Sequence, residues 1–560
     1  MERLEDRTVL SGGLVLTAFG SATYCWAEDV FLDSANQIVV AGRAGLSASD
    51  FAVARYQAST GALDPSFGNG AGWVTTDVGR GFWDGGTAAV PYPADAGEKI
   101  LVGGLARAKF ASYDWALARY NGVGTLDTTF GGLGPSAPGT VQTDLGTSTT
   151  YQERVEDMLV DGEGRIVAVG TPSSLVRYTP EGRLDREFSS DGIVDVGFAP
   201  AAVALTRNQS QILVLGTREA TTKDFAVARY NLDGTLDTSF GQEGIATCDF
   251  GEYDEAEAMA VDALGRIVVF GNACEGYYRF GLARLGADGS LDTTFGNAGR
   301  VQKKFESSVA AGPTPTDMVI DGQTGKIITV GYTNEYPQRF IVARFKPDGD
   351  LDPSFSDDGA AYRTIFDSAS DSAMALAVTV EPNGAGLDGD VIVAGAAYHV
   401  TGGTKEGFAA LARYQANGVP EEAFGAPSII IGDVYQSEGN SGTTNFSFTV
   451  RLSGPSSNPI TVNYATANGT ARGSDYVAQS GTLEIPANAT TGTIPVQVIG
   501  DRTKEQDETF YLNLSVPSEG YVLLDGQAVA TIWNDDGGKT SSAALASCLE
   551  PTRAPSAAIY

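Results

Sequence analysis

Carboxylates are the most abundant reactive groups in this chain. Its 560 residues hold 69 Asp and Glu against 37 Lys and Arg, a formal charge of -32. Between Pro427 and Gly537 the imbalance sharpens to twelve acids against four bases, and the acids fall in the polar stretches between apolar alternations. Carboxylates in such excess make cations the expected partners. A surface this negative repels polyphosphates, which excludes nucleic-acid binding driven by counterion release. Other chemistry is sparse. His399 is the only histidine, which removes histidine metal sites and leaves it as a loop residue with no base partner in view. Cys25, Cys248, Cys274 and Cys548 show no CxxC spacing, so neither zinc nor a dense disulfide framework is indicated. Cys248 with Cys274 is one bridge the sequence allows, and buried thiols are the preferred reading. There is no G-x-S-x-G element, and the chain reads as non-enzymatic.

A second set of charges recurs along the chain. "DFAVARYNLDGTLDTSFG" at Asp224 to Gly241 returns as "DWALARYNGVGTLDTTFG" and "FGLARLGADGSLDTTFG", and Arg229, Arg119 and Arg284 each precede an Asp by eight residues. One reading makes these pairs a ring of cation or ligand sites. The other, preferred here, makes them structural: a buried guanidinium needs a carboxylate partner, and an identical ligand site in every repeat is rare.

The elements that carry these residues are short strands. The arginine recurs at Arg55, Arg119, Arg177, Arg229, Arg284, Arg344 and Arg413, a period near 60, and before each lies a β-rich run ending in glycine, from "QIVVAG" to "DVIVAG". An alternating strand precedes that run and a fourth short strand follows each "LDxxFG", so every unit supplies four antiparallel strands, the content of a propeller blade. The seventh unit lacks its fourth strand at Gly425, and "GGLVLTAFG", residues 12–20, matches that strand in length and pattern. Residues 9–425 are therefore expected to form a seven-bladed propeller closed by the N-terminal strand, with residues 1–8 as a leading segment. The signature resembles the bacterial delta-60 repeat, which implies a β-propeller-like fold without general enzymatic activity.

Beyond residue 427 the period vanishes. About seven alternating strands in about 110 residues give the pattern of an immunoglobulin-like β-sandwich, so the whole protein is expected to be all-β. The stretches "SEGNSG", "TANGTARGSDY", "GTLEIPANATT", "GDRTKEQDETF" and "TIWNDDG" resemble a Calx-β domain over residues 427–537. The resemblance implies Ca2+ as the cofactor, with ligands at Glu438, Asp475, Asp501, Glu505, Glu508, Asp535 and Asp536 and the Thr503 carbonyl as a backbone ligand. Two positions depart from it: Gly500 stands where an Asp is common, and Asn534 replaces the first acid of a terminal triplet. Residues 538–560 are rich in Ala and Ser and expected to be disordered.

No apolar run is long enough to span a membrane as a helix. The acidic start "MERLEDRT" argues against a signal peptide at residues 9–27, while "ERLEDRTVLSG" resembles an N-terminal sequence of exported bacterial proteins and points to an extracellular or cell-surface location. These observations describe an interaction or adhesion protein with a protein or glycan partner. Trp26, Trp73, Trp83 and Trp115 in the first two units could form a glycan-binding platform, and a propeller hydrolase using two carboxylates is the remaining alternative.

Overall fold

The computed structural model describes residues 8–534 apart from internal stretches of up to seven residues. The expected disordered tail, residues 538–560, lies outside the described residues. The chain divides into two compact units, residues 1–425 and 426–560.

The first unit contains seven antiparallel sheets. In the first, Cys25–Leu32, Ile38–Gly45, Ser49–Tyr56 and Trp73–Thr76 follow one another in space as in sequence. The seventh consists of Ser372–Glu381, Asp390–Thr401 and Thr404–Tyr414 and takes its next strand from the chain start, Leu14–Thr17, with Leu14 opposite Ala412 and Thr17 opposite Ala409. A further strand, Thr8–Ser11, folds back on Leu14–Thr17. The sequence reading placed one strand there, and this outermost strand was not foreseen because its residues match no repeat.

Each blade is shaped by one bulge. The first strand carries a register shift at Glu28, Thr87, Glu156, Ala201, Glu257, Thr316 or Leu376. The bulge pushes a carbonyl onto the neighbouring strand, which explains the glycine closing each β-rich run: a Cβ at Gly42 would lie 1.9 Å from the Trp26 oxygen, and one at Gly395 would lie 2.0 Å from the Met374 oxygen. Only glycine leaves room for that carbonyl.

The recurrent arginines do two jobs. Their Nε donates to an Asp at 2.7–2.8 Å in six blades, from Arg55 with Asp64 to Arg344 with Asp352. In the seventh, Arg413 pairs instead with Glu381 and Asp390, both at 2.8 Å. The guanidinium also covers the Phe of the same motif, as Arg229 covers Phe240 at 4.7 Å. Nη1 then crosses to the next blade: Arg55 donates to Gly122 O, Arg119 to Pro180 O, Arg177 to Leu232 O and Arg229 to Ala287 O. Arg284, Arg344 and Arg413 continue the series to Pro347, Ala416 and Ala58. These geometries make the pairs structural, and the interblade half of their role left no mark in sequence spacing.

One sequence expectation is corrected and one alternative is set aside. His399 lies in the strand Asp390–Thr401, paired with Glu406, because this hairpin runs on to Thr401 opposite Thr404. Cys248 is a free, buried thiol, so the Cys248–Cys274 bridge does not form; Cys548 lies outside the described residues.

The second unit is a two-sheet sandwich. One sheet runs Thr491–Gly500, Gly442–Leu452, Ser428–Ile431, Val522–Asp525; the other runs Val434–Ser437, Gln527–Trp533, Glu508–Ser515, Ile460–Asn468, Ser480–Ile485. The nine strands exceed the expected seven because the edge segments are split between sheets: Ser428–Ile431 pairs in parallel with Val522–Asp525, and Val434–Ser437 with Gln527–Trp533. Phe446, Phe448, Tyr476 and Phe510 fill the core, where Tyr476 stacks on Phe510 at 4.2 Å.

Candidate calcium site

The acids of the second unit sit where its strands end. Asp475 follows the strand Ile460–Asn468, Asp501 and Glu505 follow Thr491–Gly500, and Glu508 opens Glu508–Ser515. Asp475 is fixed by the Arg472 N–H, which donates to its Oδ2 at 2.7 Å, and Asp501 accepts from the Thr503 N–H at 2.5 Å. Carboxylate oxygens of Asp475, Glu505 and Glu508 lie within 4.8 Å of one another. Partial desolvation and then the charges of Asp475 and Asp501 raise the Glu505 pKa above its ordinary value. Desolvation followed by Asp475 does the same to Glu508. An all-oxygen group that repels itself fits a hard divalent cation, which needs about six to eight oxygen ligands.

The other expected ligands are arranged differently. Glu438 is buried, 4% exposed, and its Oε1 lies 3.4 Å from the Asn534 amide nitrogen, which also donates to the Thr503 carbonyl at 3.0 Å. The amide thus bridges two oxygens that the family resemblance assigns to the ion. Asp501 stands outside the three-carboxylate group and acts on Glu505 through its charge. Asp535 and Asp536 lie outside the described residues. Asp507, overlooked in the sequence, accepts the Asn534 backbone N–H at 3.2 Å; only its place among the loop acids could have signalled it. At Gly500 a Cβ would lie 2.1 Å from the Gly439 oxygen, so backbone packing, not loss of a ligand alone, dictates glycine there.

Comparison with known families now fits this geometry. The family described as Calx-beta domain matches residues 432–536. The chain carries a Calx-beta domain. The sodium/calcium exchanger Calx of Drosophila melanogaster is 40% identical over 72 residues, 13% of this chain and 8% of the exchanger. The chain therefore spans under a tenth of that relative. The apo-form Calx CBD1 domain is 29% identical over 20% of this chain and 99% of its own, with a TM-score of 0.18. Outside the Calx-beta domain, the family described as "Domain of unknown function (DUF5122) beta-propeller" matches residues 36–67, 99–130, 211–240, 265–295 and 323–355. The periplasmic gluconolactonase of Pseudomonas aeruginosa is 11% identical over 64% of this chain and 98% of its own, with a TM-score of 0.38.

One cavity of the propeller, roughly 800 Å³, is lined by Asp29, Glu28, Arg154, Glu156, Asp157, Glu257 and Asp317 among others. Asp29, Asp157 and Asp317 each accept two backbone N–H groups, one from the next blade, as Asp29 does from Val30 and Ala89. Glu156 pairs with Arg154 at 2.6 Å, and Glu28 with Arg43 at 3.1 Å. The tryptophans do not form one platform: Trp115 is fully buried, Trp73 packs on Phe19 at 5.6 Å, and Trp26 and Trp83 flank Arg43. The described residues contain no helix long and apolar enough to cross a membrane.

Proposed function

We propose that this protein is a non-enzymatic, exported or cell-surface interaction protein in which the Calx-beta domain binds Ca2+ and the propeller serves as scaffold. The observation that carries the calcium reading is the convergence of Asp475, Glu505 and Glu508 within 4.8 Å. Further oxygens could come from Asp501, which accepts the Thr503 N–H, and from Glu438 and the Thr503 carbonyl once Asn534 releases them. The non-enzymatic reading is supported by Asp29, Asp157 and Asp317 of the cavity, whose oxygens are taken up by backbone N–H groups, one of them in each case from the next blade.

Calorimetry on the full chain tests the site. Wild type is expected to bind Ca2+ with a Kd of about 10⁻⁴ to 10⁻³ M, the range of extracellular modules, and Asp475→Asn/Glu505→Gln/Glu508→Gln to lose that component. Equal heat from both proteins would remove the assigned site.

A further inference from the structure

Three acidic clusters lie at blade junctions, far in sequence from the Calx-beta domain: Asp50, Asp77 and Asp84; Asp114, Asp144 and Glu153; Asp224, Asp249 and Asp254. Their members occupy the same three places. Asp50, Asp114 and Asp224 stand five residues before the recurrent arginine. Asp77, Asp144 and Asp249 follow directly on Thr76, Thr143 and Cys248, residues that pair with Phe51, Trp115 and Phe225. Asp84, Glu153 and Asp254 lie three residues before the bulge of the next blade. At the other four junctions these places hold no acid, and at the fifth blade they are Arg279, Lys304 and Pro313. Three positions from separate strands thus turn acidic together or not at all.

The first junction has a feature the others do not share. Asp84 is completely buried. Its Oδ2 accepts the N–H groups of Val78 at 2.6 Å and Gly79 at 2.8 Å, while its Oδ1 is buried with no hydrogen-bond partner. At the junction of the fourth and fifth blades, by contrast, both oxygens of Asp254 are bonded, to the N–H groups of Phe250 and Cys274. An unsatisfied buried carboxylate oxygen is costly, and the charged groups that act on Asp84 are Asp50 and Asp77, which repel it. Arg107 of the neighbouring strand has its guanidinium over the Phe82 ring, at 5.6 Å. Among the described residues, no basic side chain forms an ion pair with the three acids. Burial, opposed by the two N–H groups and assisted by Asp50 and Asp77, pushes the Asp84 pKa up to about 7.

From this geometry we infer that Asp50, Asp77 and Asp84 form a binding site for a hard divalent cation of the calcium class, clamping the first blade to the second. The ion would take the Oδ1 of Asp84 as its buried ligand, with Asp50 from the third strand and Asp77 from just after the fourth closing around it. Carboxylate-only donors favour calcium over softer metals. Because Asp77 and Asp84 come from consecutive blades, occupancy would stiffen the junction as well as neutralise it.

The site stands independently of the Calx-beta reading, and its test is built to separate them. In the full chain carrying Asp475→Asn/Glu505→Gln/Glu508→Gln, equilibrium dialysis with radioactive calcium at millimolar concentration is expected to retain one ion per chain. Adding Asp50→Asn should abolish it, and calcium should raise the Tm of the first protein but not of the second. Asp50 is half-buried and, among the described residues, its carboxylate accepts no hydrogen bond, so circular dichroism should show the added variant folded without calcium. Asp84→Asn serves as a second arm, with the same loss expected. No calcium retained in the triple variant, or retention unchanged by Asp50→Asn and Asp84→Asn, would overturn the inference. Loss by substitutions at Asp224 and not at Asp50 would overturn it too, by placing the ion at another junction.

Discussion

Arg413 donates from Nη1 to the carbonyl of Ala58, a residue 355 positions earlier in the chain. The same bond joins each earlier arginine to the blade that follows it, so this one turns a row of seven sheets into a ring. Beside it the Gly425 N–H donates to the Thr60 carbonyl at 2.7 Å, as the Gly68 N–H does to Val123 one junction on.

Closure also depends on the strand Leu14–Thr17, in which Leu14, Val15 and Leu16 are all buried. Deleting residues 1–20 removes these three core side chains and that of Phe19, each worth roughly 1.5–3 kcal/mol, and bares a sheet edge. The truncated protein is expected to lose on the order of 5 kcal/mol or more and to associate. Unchanged melting together with monomeric sedimentation would contradict closure by this strand.

The arginine staples should differ in value with their burial. The Arg177 and Asp185 side chains are 2% and 10% exposed, whereas Arg229 and Asp237 are 12% and 14% exposed. Arg177→Ala leaves Asp185 buried without its partner and is expected to cost about 3–5 kcal/mol. Arg229→Ala should cost less. Urea denaturation of both variants gives the order, and a larger loss at Arg229 would refute it.

Gly500 offers a test against intuition. Placing an acid there by Gly500→Asp adds a carboxylate beside the proposed calcium site, yet its Cβ would meet the Gly439 oxygen at 2.1 Å. Overpacking of this kind costs roughly 1–3 kcal/mol and displaces the segment that holds Glu438. Calcium affinity is therefore expected to fall by about tenfold or more, the equivalent of about 1.4 kcal/mol. Tighter binding in calorimetry would show that the backbone yields.

Acid should weaken the propeller through the same staples. The Ser239 hydroxyl, backed by the Ser239 N–H and Arg229, holds Asp237 down to about 2. Asp127 and Asp352 are also held below the usual range: burial alone would raise them, but Lys99 or Lys326, the neighbouring hydroxyls and the staple arginine outweigh it. Because these folded values lie below the unfolded ones, their stabilisation is present above about pH 4 and is lost as pH falls toward 2. The urea midpoint should decline over that window, and Asp127→Asn should flatten the decline. A midpoint independent of pH between 4 and 2 would dissociate the pairs from stability.

Much of this was legible in one dimension because repetition is a local signal. The period near 60, the glycine ending each second strand and the Arg-to-Asp spacing are written in the sequence, and the missing fourth strand of the last unit pointed to residues 12–20. Alternation and the family resemblance also marked the second unit as a sandwich rich in loop carboxylates. Other features depend on distances between segments that sequence does not order. The bulge that makes each glycine obligatory lies on a different strand from the glycine, and each arginine's second bond goes to a carbonyl in the next blade. Of the expected calcium ligands, the structure brought Asp475, Glu505 and Glu508 together and gave Glu438 to Asn534. That choice rests on where two sheets end and which backbone stretches touch. It also left the Oδ1 of Asp84 buried without a partner at the first blade junction, because burial and hydrogen-bond satisfaction exist only once separate strands have met.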